Sequence, residues 1–532
     1  MSTTVTTRSR RRRASRNRTH ATIAHPRGRL HPRVQQVGPE RFGLLCIDCA
    51  KARTEWMLAD FYGRVLWPAT TVRHTRGEME AAMAELHRVM REQQIDDAVA
   101  VVERTGSYHL LVKRVLEGAG WQVRIVHPYA TCQYRQPADP GNKTDQTDLM
   151  AIHRAAVAGL GLLEQELDEP YRHLRLLVRH RRDLVQKASA LRCQIQEHLH
   201  AAMPGFAQLF DDLWDTRVPM IVAQAAGSPQ AVADLGEDGL TRLLNERRVL
   251  FQRRTVTKIL AWARSAPAPD ADAALHRHLY TQLEHDHLAQ RTRIQDAERR
   301  IAHLLVDMPY VLLLSVPGIH VVSAAELAGE MGPISHYAAA SHITGRAGLF
   351  PSRYQSDRTD HADGPLVNRG NRRLRTALMT IADNLVNCNA YFGGQAQLWR
   401  KQGKDARMAR VKVAKTFSRI AFQMLAGRQV FRHPCCRERA YILDKLIDFA
   451  RDHKTPPDEL LPGLRAAAKQ IPPTERAAEA KPLHKRQRRA QRTPEHRTSQ
   501  PQRLGEILPL VLAELGQATA VQSGTSGSQD PG

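Results

Sequence analysis

An α/β domain, then a helical arm, then a mainly helical C-terminal domain is the architecture the sequence predicts. Between Arg41 and Ala158, short apolar runs with strand alternation interleave with amphipathic helical stretches. Between about Asp168 and Pro309 the strand signals vanish and helical periodicity takes over. From Met308 onward, apolar helical segments are joined by tight turns.

The N-terminal elements read in order as strand (FGLLCID), strand (TEWMLADF), strand (GRVLW) and helix (Gly77 to Gln94). Strand (DAVAVVE), helix (Ser107 to Gly118), strand (WQVRIVH) and helix (Thr144 to Ala158) follow. Three strands followed by alternating helices and strands is the order of a ribonuclease H-like (RuvC-like) α/β domain, assigned to residues 41–165. Ahead of it, residues 1–40 are basic and without periodicity, including RSRRRRASRNR from Arg8 to Arg18, and are expected to form a disordered arm.

In residues 166–307, Leu174, Leu177, Leu184, Ala188, Leu191 and Ile195 recur at coiled-coil spacing, interrupted by Arg181. A second amphipathic stretch, Ala274 to Leu305, makes an antiparallel helical arm the economical reading, closed within the monomer or used for dimerisation. Residues 308–432 open on LLLSVPGIHVVSAAELAGEMG. There Val316-Pro317-Gly318-Ile319 turns between two apolar helical segments, as a helix-hairpin-helix-like element holding a backbone phosphate or as a plain hairpin. In residues 433–532 a helix from Glu438 to Ala450 is followed by a Pro- and Arg-rich stretch (KPLHKRQRRAQR). That tail is expected to be disordered apart from a short apolar helix near Ile507 to Leu515.

Charge narrows the function. With 78 Lys and Arg against 54 Asp and Glu, the formal net charge of +24 points to a polyanion, and nucleic acid is the leading partner. The seven cysteines are scattered, as expected in a reducing cytoplasm, and the one C-x-x-C, Cys46 and Cys49, would be split between the two faces of a strand. No uninterrupted apolar run approaches a membrane span, so a membrane partner is not expected.

Four acids carry the chemistry. Asp48 closes the first apolar strand and Glu103 the fourth, where an uncompensated carboxylate is costly. Asp145 and Asp148 stand one turn apart at a helix start, near the positive end of its dipole and behind Thr144 as N-cap. Oxygen-only ligands select hard cations, so Mg²⁺, or Mn²⁺, is expected rather than Zn²⁺. Each acid taken singly also fits a cap or a surface residue. Downstream, Arg369, Arg372, Arg373 and Arg375 in NRGNRRLRTAL crowd one turn before an apolar helix, as a phosphate clamp or as solvated surface charge.

CIDCAK, VVERTGSYH and KTDQTD resemble the three segments of the DEDD transposases of bacterial insertion sequences, the family associated with bridge-RNA-guided recombination. SVPGIHVVSAAELAGEMG, HITGRAGLFPSRYQSDRT and LVNRGNRRLRTALMTIA resemble that family's C-terminal transposase domain, so the likeness spans roughly Phe42 to Gln429. It implies a site-specific recombinase acting on donor and target DNA with a guide RNA from the element, as a homodimer or a dimer of dimers. It further implies Mg²⁺ held by Asp48, Glu103, Asp145 and Asp148, and a serine nucleophile that links transiently to DNA. We place that serine at Ser356. A glycine usually follows it in the family, whereas Asp357 stands here; Ser352 is the alternative. Tyr108 fits packing or phosphate contact better than a role as nucleophile, and His109 fits a structural histidine better than a general base. Two other readings follow from the same residues: a structure-selective, metal-dependent nuclease that needs no serine, and an inactive nucleic-acid-binding transposase remnant.

Overall fold

The computed structural model describes residues 30–136, 141–164, 167–356, 359–361, 364–367, 370–431 and 439–472. Arg8 to Arg18, Asp357, Arg369 and the late Ile507 to Leu515 segment lie outside them. Two compact units result, Met1–Glu166 and Leu167–Gly532.

The first unit comprises α1 (Leu30–Val37), β1 (Phe42–Cys49), β2 (Arg53–Asp60), β3 (Val65–Arg73), α2 (Arg76–Glu92), β4 (Asp97–Glu103), α3 (His109–Gly118), β5 (Val123–Val126), α4 (Pro128–Arg135), α5 (Asp145–Val157) and β6 (Leu162–Leu163). Its mixed sheet runs β3-β2-β1-β4-β5-β6. The β1–β4 and β4–β5 pairs are parallel, and the others are antiparallel. This is consistent with the expected ribonuclease H-like α/β domain.

Strand alternation sends Leu45, Ile47 and Cys49 into a core with Met79 and Leu86 of α2 and Val112 and Leu116 of α3. Leu44 and Cys46 go to the opposite face, against Leu149, Ile152 and Ala155 of α5. Cover on both faces is why β1 reads as a nearly continuous apolar run. It also separates the two cysteines. Burial pushes both thiols up, Cys49 to about 12, which leaves neither as a ready thiolate.

Order begins earlier than composition suggested. The helix α1 occupies part of the stretch expected to be disordered, because Val34 enters the α5-side core and Arg33 donates to the Asp97 carboxylate (Nε, 2.8 Å), to Gln122 (2.9 Å) and to the Ala98 carbonyl (3.0 Å).

The second unit begins with a long helix, α6 (Glu169–Ala202), followed by α7 (Val218–Ala226), α8 (Pro229–Glu246), α9 (Arg253–Ser265) and a second long helix, α10 (Ala273–Leu305). The helices α6 and α10 pair along their length. His198 meets His276 near one end, and Arg181 meets Glu298 near the other, so the two run antiparallel. Arg181, the break in the seam, is accommodated by Glu298 at 2.7 Å and Glu326 at 3.4 Å. The three shorter helices close over their own core of Phe206, Val222, Leu240, Leu244 and Ile259.

After α10 come α11 (Val321–Met331), α12 (Ala340–Ala347), the hairpin β7 (Tyr354–Ser356) and β8 (Thr359–His361), then α13 (Arg372–Cys388), α14 (Ala390–Lys401), α15 (Ala406–Ala426), α16 (Arg439–Asp452) and α17 (Pro457–Gln470). Leu174, Val178, Ile301 and Leu305 at the base of the arm join the same core as these helices. The arm and the C-terminal domain therefore share one core, where the sequence suggested a boundary at residue 307.

The apolar helical segment expected before the Val316–Ile319 turn is a 3-10 helix (Pro309–Ser315). Helix α17 lies in the stretch expected to be disordered; Leu460, Leu464, Ala467 and Ala468 repeat at helical spacing and are buried.

A buried charge knot ties the arm to the C-terminal helices. Glu330 of α11 is 1% exposed and accepts from Arg179 Nε (2.9 Å) and Nη2 (3.1 Å) and from Asn371 Nδ2 (3.0 Å). Burial alone would raise its pKa, but these donors and Arg175 hold it below the usual range. Removing one partner of such a knot strands the others, so Glu330→Ala is expected to destabilise this unit by about 3–5 kcal/mol in chemical denaturation. A loss under about 1 kcal/mol would show the knot to be dispensable.

Candidate active site

The first unit gathers its acids at the carboxyl ends of β1 and β4. The last pair of their parallel ladder is Ile47 with Val102, so Asp48 and Glu103 are the next residues along neighbouring strands. Asp48 follows the alternation of Leu44 and Cys46, and Glu103 that of Val99 and Val101, so both point to the face that α5 covers. That helix begins at Asp145 behind a reciprocal cap: the Thr147 amide donates to Thr144 Oγ1 (3.2 Å), and the Thr144 amide to Thr147 Oγ1 (2.9 Å). The cap fixes the first turn, placing Asp148 inward, 4% exposed, and leaving Asp145 at the rim.

Three of the acids act on one another's charge, and Asp145 acts on Asp48. Burial raises the Asp48 pKa, and the charges of Asp148 and Asp145 raise it further. Glu103 is pushed up to about 7 by burial first, then by Asp48 and Asp148; Lys143 pulls weakly the other way on both. Asp148 pairs with Arg135 at the end of α4. Among the described residues no three His, Cys, Asp or Glu side chains are already drawn into a chelating cluster. The donor set nevertheless suits a hard divalent cation: carboxylate oxygens only, with Asp48 and Glu103 half-buried and their charged forms made costlier by burial and by neighbouring carboxylates.

Burial of Glu103, and after it the neighbouring carboxylates, set a pH dependence. Glu103 holds its proton to about 7 when folded, against 4.5 as the ordinary value, so the folded state binds more protons between those limits. Stability without metal is therefore expected to fall as pH rises from about 5 through about 7, by roughly 1–2 kcal/mol after discounting for solvent screening. Thermal melts of wild type and Glu103→Gln in chelator at pH 5 and pH 8 check this. The variant should lose less, and identical losses would contradict the assignment.

In the second unit, Ser356 ends β7 beside the hairpin turn, paired with Thr359, and is exposed. Ser352 lies at the hairpin base, where its amide donates to the Pro365 carbonyl (2.9 Å) and its carbonyl accepts from the Gly364 amide (3.2 Å). An added Cβ at Gly364 would meet the Ser352 side chain, and Ser352 is half-buried where Ser356 is exposed.

The arginine cluster divides. Arg372 and Arg373 are exposed in the first turn of α13, where the helix dipole disfavours cations and an anion would relieve them. Arg375 turns inward and donates to the carbonyls of Ala347 (2.8 Å) and Val367 (2.6 Å), anchoring the base of the hairpin. Gly318 has φ +94° and packs against Asn384 and Cys388 of α13, while Lys445 donates to the carbonyls of Leu314, Val316 and Ile319. The turn is thus held by the chain's own groups. Tyr108 is half-exposed just before α3 and His109 is buried. Sequence reasoning missed Arg135, since neither α4 nor a pairing across thirteen residues left a periodic signal, and it passed over Lys143.

Residues 45–204 match a family model described as Transposase, and residues 310–397 match that of the Transposase IS116/IS110/IS902 family. The first range includes all four acids and the second Ser356 with the start of α13. The chain is 28% identical over 335 residues to the insertion element IS116 uncharacterized 44.8 kDa protein of Streptomyces clavuligerus. It is 25% identical over 333 residues to the insertion element IS110 uncharacterized 43.6 kDa protein of Streptomyces coelicolor. Each alignment covers 62% of this chain and 81% of the relative.

Proposed function

We propose that the chain, a DNA transposase by its two matched segments, recombines an insertion sequence site-specifically under the guidance of a structured RNA. In this reading Asp48, Glu103, Asp145 and Asp148 hold Mg²⁺, with Mn²⁺ as a substitute, and Ser356 is the nucleophile. The observation that carries the reading is the adjacency of Asp48 and Glu103 on the neighbouring strands β1 and β4, on the face that α5 covers, with both carboxyls raised by burial and by nearby carboxylates. Arg135 neutralises Asp148, and a fold has little reason to keep the remaining carboxylates beside it unless a cation completes them.

A bound divalent ion supplies positive charge that polarises the phosphodiester and stabilises the attacking and leaving oxygens. The chain's own residues do the rest. Arg372 and Arg373 hold a backbone phosphate of the DNA. The Ser356 oxygen bonds to phosphorus as the deoxyribose oxygen leaves, and a strand-end hydroxyl later reverses the exchange, so no phosphodiester energy is lost to water. Donor and target DNA are the substrates, and a dimer or dimer of dimers is the assembly the family resemblance implies. The guide RNA rests on the family resemblance, and the net charge of +24 accords with polyanionic partners.

The test is strand transfer with donor DNA, target DNA and RNA transcribed from the element's flanks, in Mg²⁺. Joined products that need both the RNA and the metal support the reading. Nicking without joining, indifferent to RNA, would favour the structure-selective nuclease.

A further inference from the structure

The acids do not share one state. Among the described residues Asp148 alone of the four makes an ion pair, with the Arg135 guanidinium, and both side chains are withdrawn from solvent, at 14% and 6% exposure. Arg135 closes α4, which packs on α5, so the two helices carry the pair between them. The guanidinium's other described contact is a weak one, from Nη2 to Cys132 Sγ at 3.9 Å. Among the described residues these two contacts use two of its five donor hydrogens, and the Glu103 charge also acts on it.

We propose that Arg135 is a positioning residue that stands in for a cation at the fourth carboxylate and must release Asp148 before that carboxylate can bind a divalent ion. This rests on the reading of the acids as a metal site. A buried carboxylate needs a positive partner to stay ionised in place, and Arg135 supplies one when no ion is bound. The same contact engages Asp148 Oδ1, one of the two oxygens the carboxylate has to offer an ion, and holds the carboxylate toward α4. Metal loading is thus an exchange of partners at Asp148, and the strength of the Arg135 pair lowers the apparent affinity. Once displaced, the guanidinium remains beside the acids, where its fork of donors matches a phosphate.

The experiment is calorimetric titration of the full-length protein with Mn²⁺, comparing wild type, Arg135→Gln and Arg135→Lys, with melting temperatures in chelator and at saturating Mn²⁺. Arg135→Gln is expected to bind Mn²⁺ roughly tenfold more tightly while melting lower than wild type in chelator, with the gap closing when Mn²⁺ is added. Arg135→Lys keeps the charge and guards against loss of fold; it should fall between the two. Equal or weaker Mn²⁺ binding by folded Arg135→Gln would overturn the exchange, since a purely structural arginine would cost affinity on removal. No Mn²⁺ binding by wild type or either variant would instead remove the metal reading, and this inference with it.

Discussion

Replacing Ser356 by alanine is expected to abolish both joined DNA products and the covalent protein–DNA adduct, a loss of roughly 10⁴–10⁶-fold. Ser352→Ala should retain the adduct. The contrast follows from where the two hydroxyls sit: Ser356 is exposed beside the turn of the β7–β8 hairpin, whereas Ser352 is held at its base between the backbones of Gly364 and Pro365. Ser352→Ala therefore removes a half-buried hydroxyl beside Gly364 and at most loosens the hairpin. Trapping on suicide DNA substrates and resolving the products on denaturing gels separates the two. An adduct that survives Ser356→Ala and disappears in Ser352→Ala would reverse the assignment.

Asp48→Ala or Glu103→Ala is expected to lower Mg²⁺-dependent strand transfer by about 10²–10³-fold or more, with DNA binding and its salt dependence largely unchanged. Both acids end buried strands, and both are raised by burial and by neighbouring carboxylates. Removing either relieves repulsion, so the variants should remain folded and melt no lower than wild type at pH 8 without metal. That combination, lost activity with kept or gained stability, distinguishes a metal ligand from a structural acid. Lower melting together with lost DNA binding would identify the acids as structural.

Much of this was legible because the relevant signals were local. The run FGLLCID places Asp48 by alternation alone, DAVAVVE does the same for Glu103, and KTDQTD carries its own cap, so both strand ends and the helix start can be read without tertiary information. Contacts between distant residues were not legible. The Arg135 pair depends on α4 lying against α5, the inward turn of Arg375 depends on the Ala347 and Val367 carbonyls, and Glu330 gathers donors from α6 and from the cap of α13. A cluster of arginines in sequence looks like one surface, yet here Arg375 went to the backbone while Arg372 and Arg373 stayed outside. The helix α1 was masked by the basic composition around it, and α17 by its flanking prolines.

The most direct test of the central claim is mass-spectrometric identification of the residue bonded to DNA after trapping wild-type protein with donor, target, RNA and Mg²⁺. The account predicts a single phosphodiester-linked site at Ser356, absent when Mg²⁺ is chelated. A linkage at Ser352 or Tyr108, or strand cleavage in Mg²⁺ with no linked residue at all, would contradict it.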